Sequence, residues 1–298
     1  MRKSIAVPAL FLALAVLAGC GYYGRGISLP AQFSARDLPY AAGVPGEAAL
    51  TLDVHAPTGA ANLPVVVYVH GGGWTEGDKQ QMDVWCRMIA ARGYVVFNVN
   101  YRLAPRYPFP AAINDLLGAL IFARDHAAEY GGDPSRIGIH GGSAGAHLAA
   151  LAASAAAEPG WKPTGHQDRS AAGIVKASVL FFGVYDFNRP GLIRLTNLRQ
   201  QFLGGKPRRL PEVYRLASPV NFVRPDLPPA LLVCGGLDPI LSQTRLYDRA
   251  LRRAGARAEL KLYPLQTHGF DVFMKSPAAR DAFQRMMAFF DRELKKSP

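Results

Sequence analysis

The sequence is poor in the residues that mark several functional classes. It has only three cysteines, Cys20, Cys86 and Cys234. Three cannot form the dense bridge framework of a small secreted domain. Cys86 falls in a helical pattern and Cys234 inside an apolar strand, so both are expected as buried free thiols. Charged residues are 19% of the chain against 49% hydrophobic, which excludes a chain disordered as a whole. No apolar run reaches the roughly 20 residues of a membrane-spanning helix. The seven histidines show no metal-ligand spacing. No G-x-G-x-x-G follows a strand and no P-loop occurs. Neither metal nor cofactor is therefore expected. What is in excess is positive charge, a formal +12. Its Arg and Lys are scattered among Asp and Glu, with small clusters such as Lys206-Pro-Arg-Arg209. No aromatics interleave with a basic stripe, which argues against nucleic-acid binding.

The first residues are more specific. "MRKSIAVPALFLALAVLAGC" has two basic residues, an apolar run and small residues before Cys20, the pattern of a secretory leader over residues 1–19. Leu17-Ala-Gly-Cys20 resembles the lipobox of bacterial lipoproteins. That resemblance implies cleavage before Cys20, lipidation of its thiol and a membrane anchor, the outer membrane being favoured by Gly21 after the cysteine. Several acyl chains hold firmly where one holds marginally. An ordinary cleaved leader with an incidental cysteine is the alternative. Residues 20–45, rich in Gly, Pro and small side chains, are expected to be a tether with little structure. Residues 46–298 are long enough for one large domain.

Within that domain short apolar runs alternate with helical patterns. "PVVVYVHGG", "YVVFNVNY", "RIGIHG", "ASVLFFGV", "ALLVCGG" and "AELKLYP" predict strands. Their near-continuous hydrophobicity fits burial on both faces. Helices are expected over 110–130, after Ser143, around 241–254 and over 278–294. The alternation implies an α/β fold, a mostly parallel sheet covered on both faces. Residues 187–219, with scattered Arg and Pro, break the rhythm and predict a small lid inserted between a strand and the next helix.

Gly141-Gly-Ser-Ala-Gly145 fits G-x-S-x-G, a sharp strand-to-helix turn that exposes a nucleophilic serine. Serine is weak at its own pKa and needs a base, which needs an orienting carboxylate. Beyond the helix of Ser143, His166 and His268 are the histidines that follow. His166 lies in a loop with no strand ahead of it. His268 follows "AELKLYP" and is favoured as the base. Asp238, directly after "LLVCGG", is favoured as the acid, with Asp186 after "FFGVY" as rival. "VHGGGW" supplies backbone donors for a developing oxyanion: Gly72 and Gly73, joined by the amide of Ala144. His70 is expected to brace this loop. Trp74 fits an acyl pocket or loop packing equally. Arg102 is a candidate partner for Asp115. His140 and His147 are expected as buried, hydrogen-bonded residues.

"HGGGWTEGDK", "NVNYRLAPRYPFPAAINDLLGAL", "GGDPSRIGIHGGSAGAHLA", "ASPVNF", "LPPALLVCGGLDPILSQTRLYDRAL" and "THGF" occur in an order that resembles the α/β-hydrolase fold. The nearest resemblance is to hormone-sensitive-lipase-like esterases and the neighbouring feruloyl-esterase-like (BD-FAE) group. The resemblance implies a carboxylic ester hydrolase with a Ser143–Asp238–His268 triad and an acyl-enzyme intermediate. Hormone-sensitive-lipase-like members usually carry an acidic residue just before the nucleophile, where this chain has Gly142, and their N-terminal cap is short or absent here. Two alternatives stand beside this expectation: an amide hydrolase such as an aryl-formamidase or peptidase relative, and a surface-tethered binding module on a dead scaffold.

Overall fold

A computed structural model describes residues 29–30, 32–42, 50–189 and 196–295 of the chain. The expected leader, Cys20 and the first part of the expected tether lie outside the described residues. Eight strands form one mixed sheet: β1 (Gln32–Ala41), β2 (Leu50–Pro57), β3 (Leu63–Val69), β4 (Val95–Val99), β5 (Gly132–Gly142), β6 (Val175–Phe181), β7 (Ala230–Gly235) and β8 (Ala258–Tyr263). Their spatial order is β1-β2-β4-β3-β5-β6-β7-β8. β1 and β2 run antiparallel to their neighbours; from β4 to β8 the pairing is parallel.

The helices are α1 (Asp83–Ala90), α2 (Ala111–His126), α3 (Ala144–Ala155), α4 (Thr196–Leu203), α5 (Pro211–Leu216), α6 (Leu241–Arg253) and α7 (Pro277–Leu294). They cover both faces because the strands are apolar on both. In β3, Val65, Val67 and Val69 join Leu116, Leu120 and Leu148 of α2 and α3 in one core. Val66 and Tyr68, pointing the other way by the two-residue period of a strand, join Trp85, Ile89 and Met286 of α1 and α7 in the second. Cys86 and Cys234 are buried and free. Among the described residues no helix is long and apolar enough to cross a membrane.

Part of the segment expected as a tether is instead β1. It pairs with β2 at the sheet edge, with register shifts between Ala35 and Leu38 and between Pro39 and Ala41. Half of its residues are exposed and two are buried, so it lacks the apolar run that marks the inner strands. Its Pro39 is tolerated because an edge strand leaves one row of amides unpaired.

Chain order reverses between β4 and β5, which flank β3. Ligand crevices form outside the carboxyl ends of strands at such a switch point. The loops after β3 and β5, carrying the glycine run and Ser143, meet there.

Candidate active site

Ser143 caps α3 with φ 55° and ψ −117°, a region disfavoured for any residue with a Cβ. The strain is held by hydrogen bonds on both sides: the Ser143 amide donates to the Phe181 carbonyl of β6 (2.9 Å), and the His147 amide donates to the Ser143 carbonyl (3.0 Å). Gly145 makes the turn possible. A Cβ there would stand 2.1 Å from the Val69 carbonyl oxygen and 2.6 Å from that of His70, so α3 can start against β3 only where the side chain is hydrogen.

Two further loops converge on the hydroxyl. His268, after β8, approaches Ser143 Oγ with Nε2 at 3.0 Å. Its Nδ1 lies 2.8 Å from Asp238 Oδ2, after β7. The Asp238 carboxylate is fully shielded from solvent, and its other oxygen accepts from the Ile240 amide at 2.8 Å. A charged acceptor at Nδ1 holds the proton on that nitrogen and leaves the Nε2 lone pair facing the hydroxyl. The Phe182 ring, 4.7 Å from the imidazole, packs against it. The rivals lie elsewhere. Asp186 accepts from the Asn188 amide at 2.9 Å and so caps its own turn. His166 sits in a loop beside Arg169, where burial and that guanidinium lower its pKa.

The glycine run lies against the elbow: a Cβ built on Gly71 would be 3.6 Å from Ser143 Cβ. Gly72 (φ 108°) and Gly73 (φ 59°) take left-handed backbone, and a side chain on Gly72 would meet the Glu76 carbonyl at 2.0 Å. The Gly72 carbonyl accepts from the Thr75 and Glu76 amides, closing a tight turn. Among the described residues no acceptor is engaged by the Gly72 or Gly73 amide. Those two amides, with that of Ala144 at the first turn of α3, are the donors proposed for an oxyanion.

Buried histidines hold the loop. The His70 ring stacks on Tyr101 (4.2 Å), and its Nδ1 donates to the Gly71 carbonyl (2.8 Å). Tyr101 Oη donates to the His70 carbonyl (3.0 Å). Trp74, 3% exposed, packs rather than lining an open pocket. It stacks on Phe202 of α4 (4.6 Å) and donates from Nε1 to His147 Nδ1 (2.9 Å). His147 in turn donates from Nε2 to the Ala217 carbonyl just after α5 (2.8 Å). This neutral imidazole therefore struts the glycine loop against the inserted segment between β6 and β7. His140 donates from Nδ1 to the Val179 carbonyl (3.0 Å). Burial pushes His70, His140 and His147 down to about 4. Arg102 and Asp115 form a two-pronged pair, with Nη2 to Oδ1 at 2.6 Å and Nε to Oδ2 at 2.9 Å.

Sequence reasoning missed several neighbours of the site. Phe182, with φ 43°, has no motif to announce it. Leu198 of α4 lies against Gly73, and nothing in a helix repeat selects it. Asp271 is buried three residues after His268, and burial pushes its carboxyl up to about 6. Leu237, next to Asp238 after β7, and Leu265, in the loop between β8 and His268, leave apolar surface exposed, as does Phe273 further along.

A family model described as BD-FAE matches residues 52–248. The esterase LipQ of Mycobacterium tuberculosis is 36% identical over 252 residues, 79% of this chain and 57% of LipQ. The carboxylesterase NlhH of the same organism is 34% identical over 247 residues, 78% of this chain and 75% of its own length. The chain thus spans little more than half of LipQ. Among solved structures, EstE1, described as a thermostable carboxylesterase cloned from a metagenomic library, superposes with a TM-score of 0.79 at 29% identity, covering 99% of this chain and all of that one.

Proposed function

The chain belongs to the BD-FAE family, and from that premise we propose that it is a serine hydrolase of carboxylic esters working through Ser143, His268 and Asp238. The hydrogen-bonded relay from Asp238 through His268 to Ser143 Oγ carries the reading. His268 takes the hydroxyl proton at Nε2 as Oγ attacks the ester carbonyl. Asp238 holds the tautomer and stabilises the imidazolium. The amides of Gly72, Gly73 and Ala144 stabilise the oxyanion, with roughly 3–4 kcal/mol lost when one such donor is removed. His268 then protonates the departing alcohol, leaving an acyl-Ser143 ester. Water, deprotonated by His268, attacks that ester, releases the acid and restores the serine.

Exposed Leu237 and Leu265, in the loops that carry Asp238 and His268, favour an uncharged ester with apolar parts over a polyanionic one. The lipobox-like Leu17–Cys20 supports an exported, lipid-anchored form; Cys20→Ala is expected to move the protein from the membrane fraction to the soluble one, and unchanged fractionation refutes the anchor. The central test is Ser143→Ala assayed on p-nitrophenyl acetate and butyrate, with fluorophosphonate labelling in parallel. Loss of both hydrolysis and labelling is expected. Hydrolysis retained by the variant removes the mechanism.

A further inference from the structure

At the far side of the sheet edge, β1, β2 and α1 bring together a group of side chains the ester chemistry does not use. Asp53 and His55, two residues apart on β2, project to the same face, toward Asp83 at the start of α1. One ligand atom from each lies within 4.8 Å of the others. Asp53 and His55 are fully buried. Among the described residues, Asp53 Oδ2 and His55 Nε2 have no hydrogen-bond partner.

The bonds that are made orient the unpaired atoms. Lys79 Nζ takes Asp53 Oδ1 at 2.6 Å and Asp37 at 2.7 Å, leaving Oδ2 over. His55 Nδ1 is 2.9 Å from Ser34 Oγ on β1, its register partner. With the Ser34 hydroxyl accepting from Nδ1–H, Nε2 carries the lone pair a metal ligand needs. Nε2 faces Asp83 Oδ1 at 3.5 Å, and in this tautomer the pair is two acceptors that a cation between them would satisfy. The separation is close to the roughly 3.4 Å between ligand atoms of a tetrahedral zinc ion with bonds near 2.1 Å.

Arg36 supplies positive charge to this spot at present. Its Nη2 lies 2.8 Å from Asp83 Oδ1 and its Nη1 3.6 Å from Asp53 Oδ2, while half of its side chain is exposed. With Arg36 turned out to solvent, Asp37, Asp53 and Asp83 against Lys79 leave a formal charge of −2, matched by one divalent ion. One imidazole nitrogen with two carboxylate oxygens selects a zinc-class ion over Mg²⁺ or Ca²⁺, which prefer all-oxygen sites. We propose that Asp53, His55 and Asp83 form a binding site for one zinc-class divalent cation, entered by displacement of the Arg36 guanidinium. The ion ties β2 to the start of α1, and Ser34 on β1 holds the imidazole in place. The ligands are split between β2 and α1, which is why histidine spacing along the sequence gives no sign of them.

The test is calorimetric titration of the chelator-treated full chain with ZnCl2, with thermal unfolding followed in parallel. One-to-one binding is expected, with a rise in Tm as zinc is added and no response to MgCl2. Arg36→Gln removes a competing charge and is expected to tighten binding about tenfold. His55→Gln is expected to abolish it. Asp83→Asn, at a partly exposed position, does the same should the buried His55→Gln variant fail to fold. Absence of one-to-one zinc binding by the wild type overturns the proposal. So does binding that survives Asp83→Asn, or an Arg36→Gln variant that binds no more tightly than the wild type.

Discussion

The three neutral histidines around the site set how the protein responds to acid. His70, His140 and His147 are held near 4 by burial, against about 6.5 in an unfolded chain. Between those values the unfolded state binds protons that the folded state refuses, so stability is full above pH 6.5 and falls as the pH drops toward 4. Near pH 5 these three residues contribute about three excess protons in the unfolded chain. Asp271 works the other way. Its folded pKa of about 6 exceeds the unfolded value near 4, so the folded state holds roughly one extra proton at pH 5. The balance is about two protons, or roughly 3 kcal/mol of stability lost per pH unit. His55 and His166, also lowered by burial, act in the same direction. Urea unfolding at half-unit steps from pH 7.5 to 5.0 measures the slope. His147→Gln should flatten it by about one proton. A stability that is level or rising as the pH falls from 6.5 to 5 refutes the assignment of these imidazoles as buried and neutral.

Two substitutions test the scaffold of the elbow and loop. Gly145→Ala places a methyl 2.1 Å from the Val69 carbonyl; with backbone on the other side of the clash, a loss of several kcal/mol or failure to fold is expected, and a Tm unchanged from wild type contradicts the packing of α3 on β3. Trp74→Phe keeps an aromatic ring against Phe202 but leaves His147 Nδ1 without its donor; about 1–3 kcal/mol of stability should be lost, measured by urea unfolding, and a neutral result argues that the strut carries no energy.

Patterns confined to neighbouring residues determine much of this protein by themselves. Continuous apolar runs such as Pro64–Val69 declare strands buried on both faces, because a parallel sheet leaves no face for water. Gly141–Gly145 declares a turn too sharp for side chains, and the alternation of runs and helical repeats declares the α/β class. Contacts between distant segments were decided by tertiary structure alone. Asp186 and Asp238 each follow a strand; only the crossover geometry turns one toward its own Asn188 amide and brings the other to His268. β1 is legible only as the partner of β2, since an exposed edge strand buries too little to write a pattern into its sequence. Trp74 packs because Phe202 and His147, far along the chain, arrive beside it. The gathering of Asp53, His55 and Asp83 has the same origin: local sequence specifies which way a side chain points, while the fold specifies what it meets.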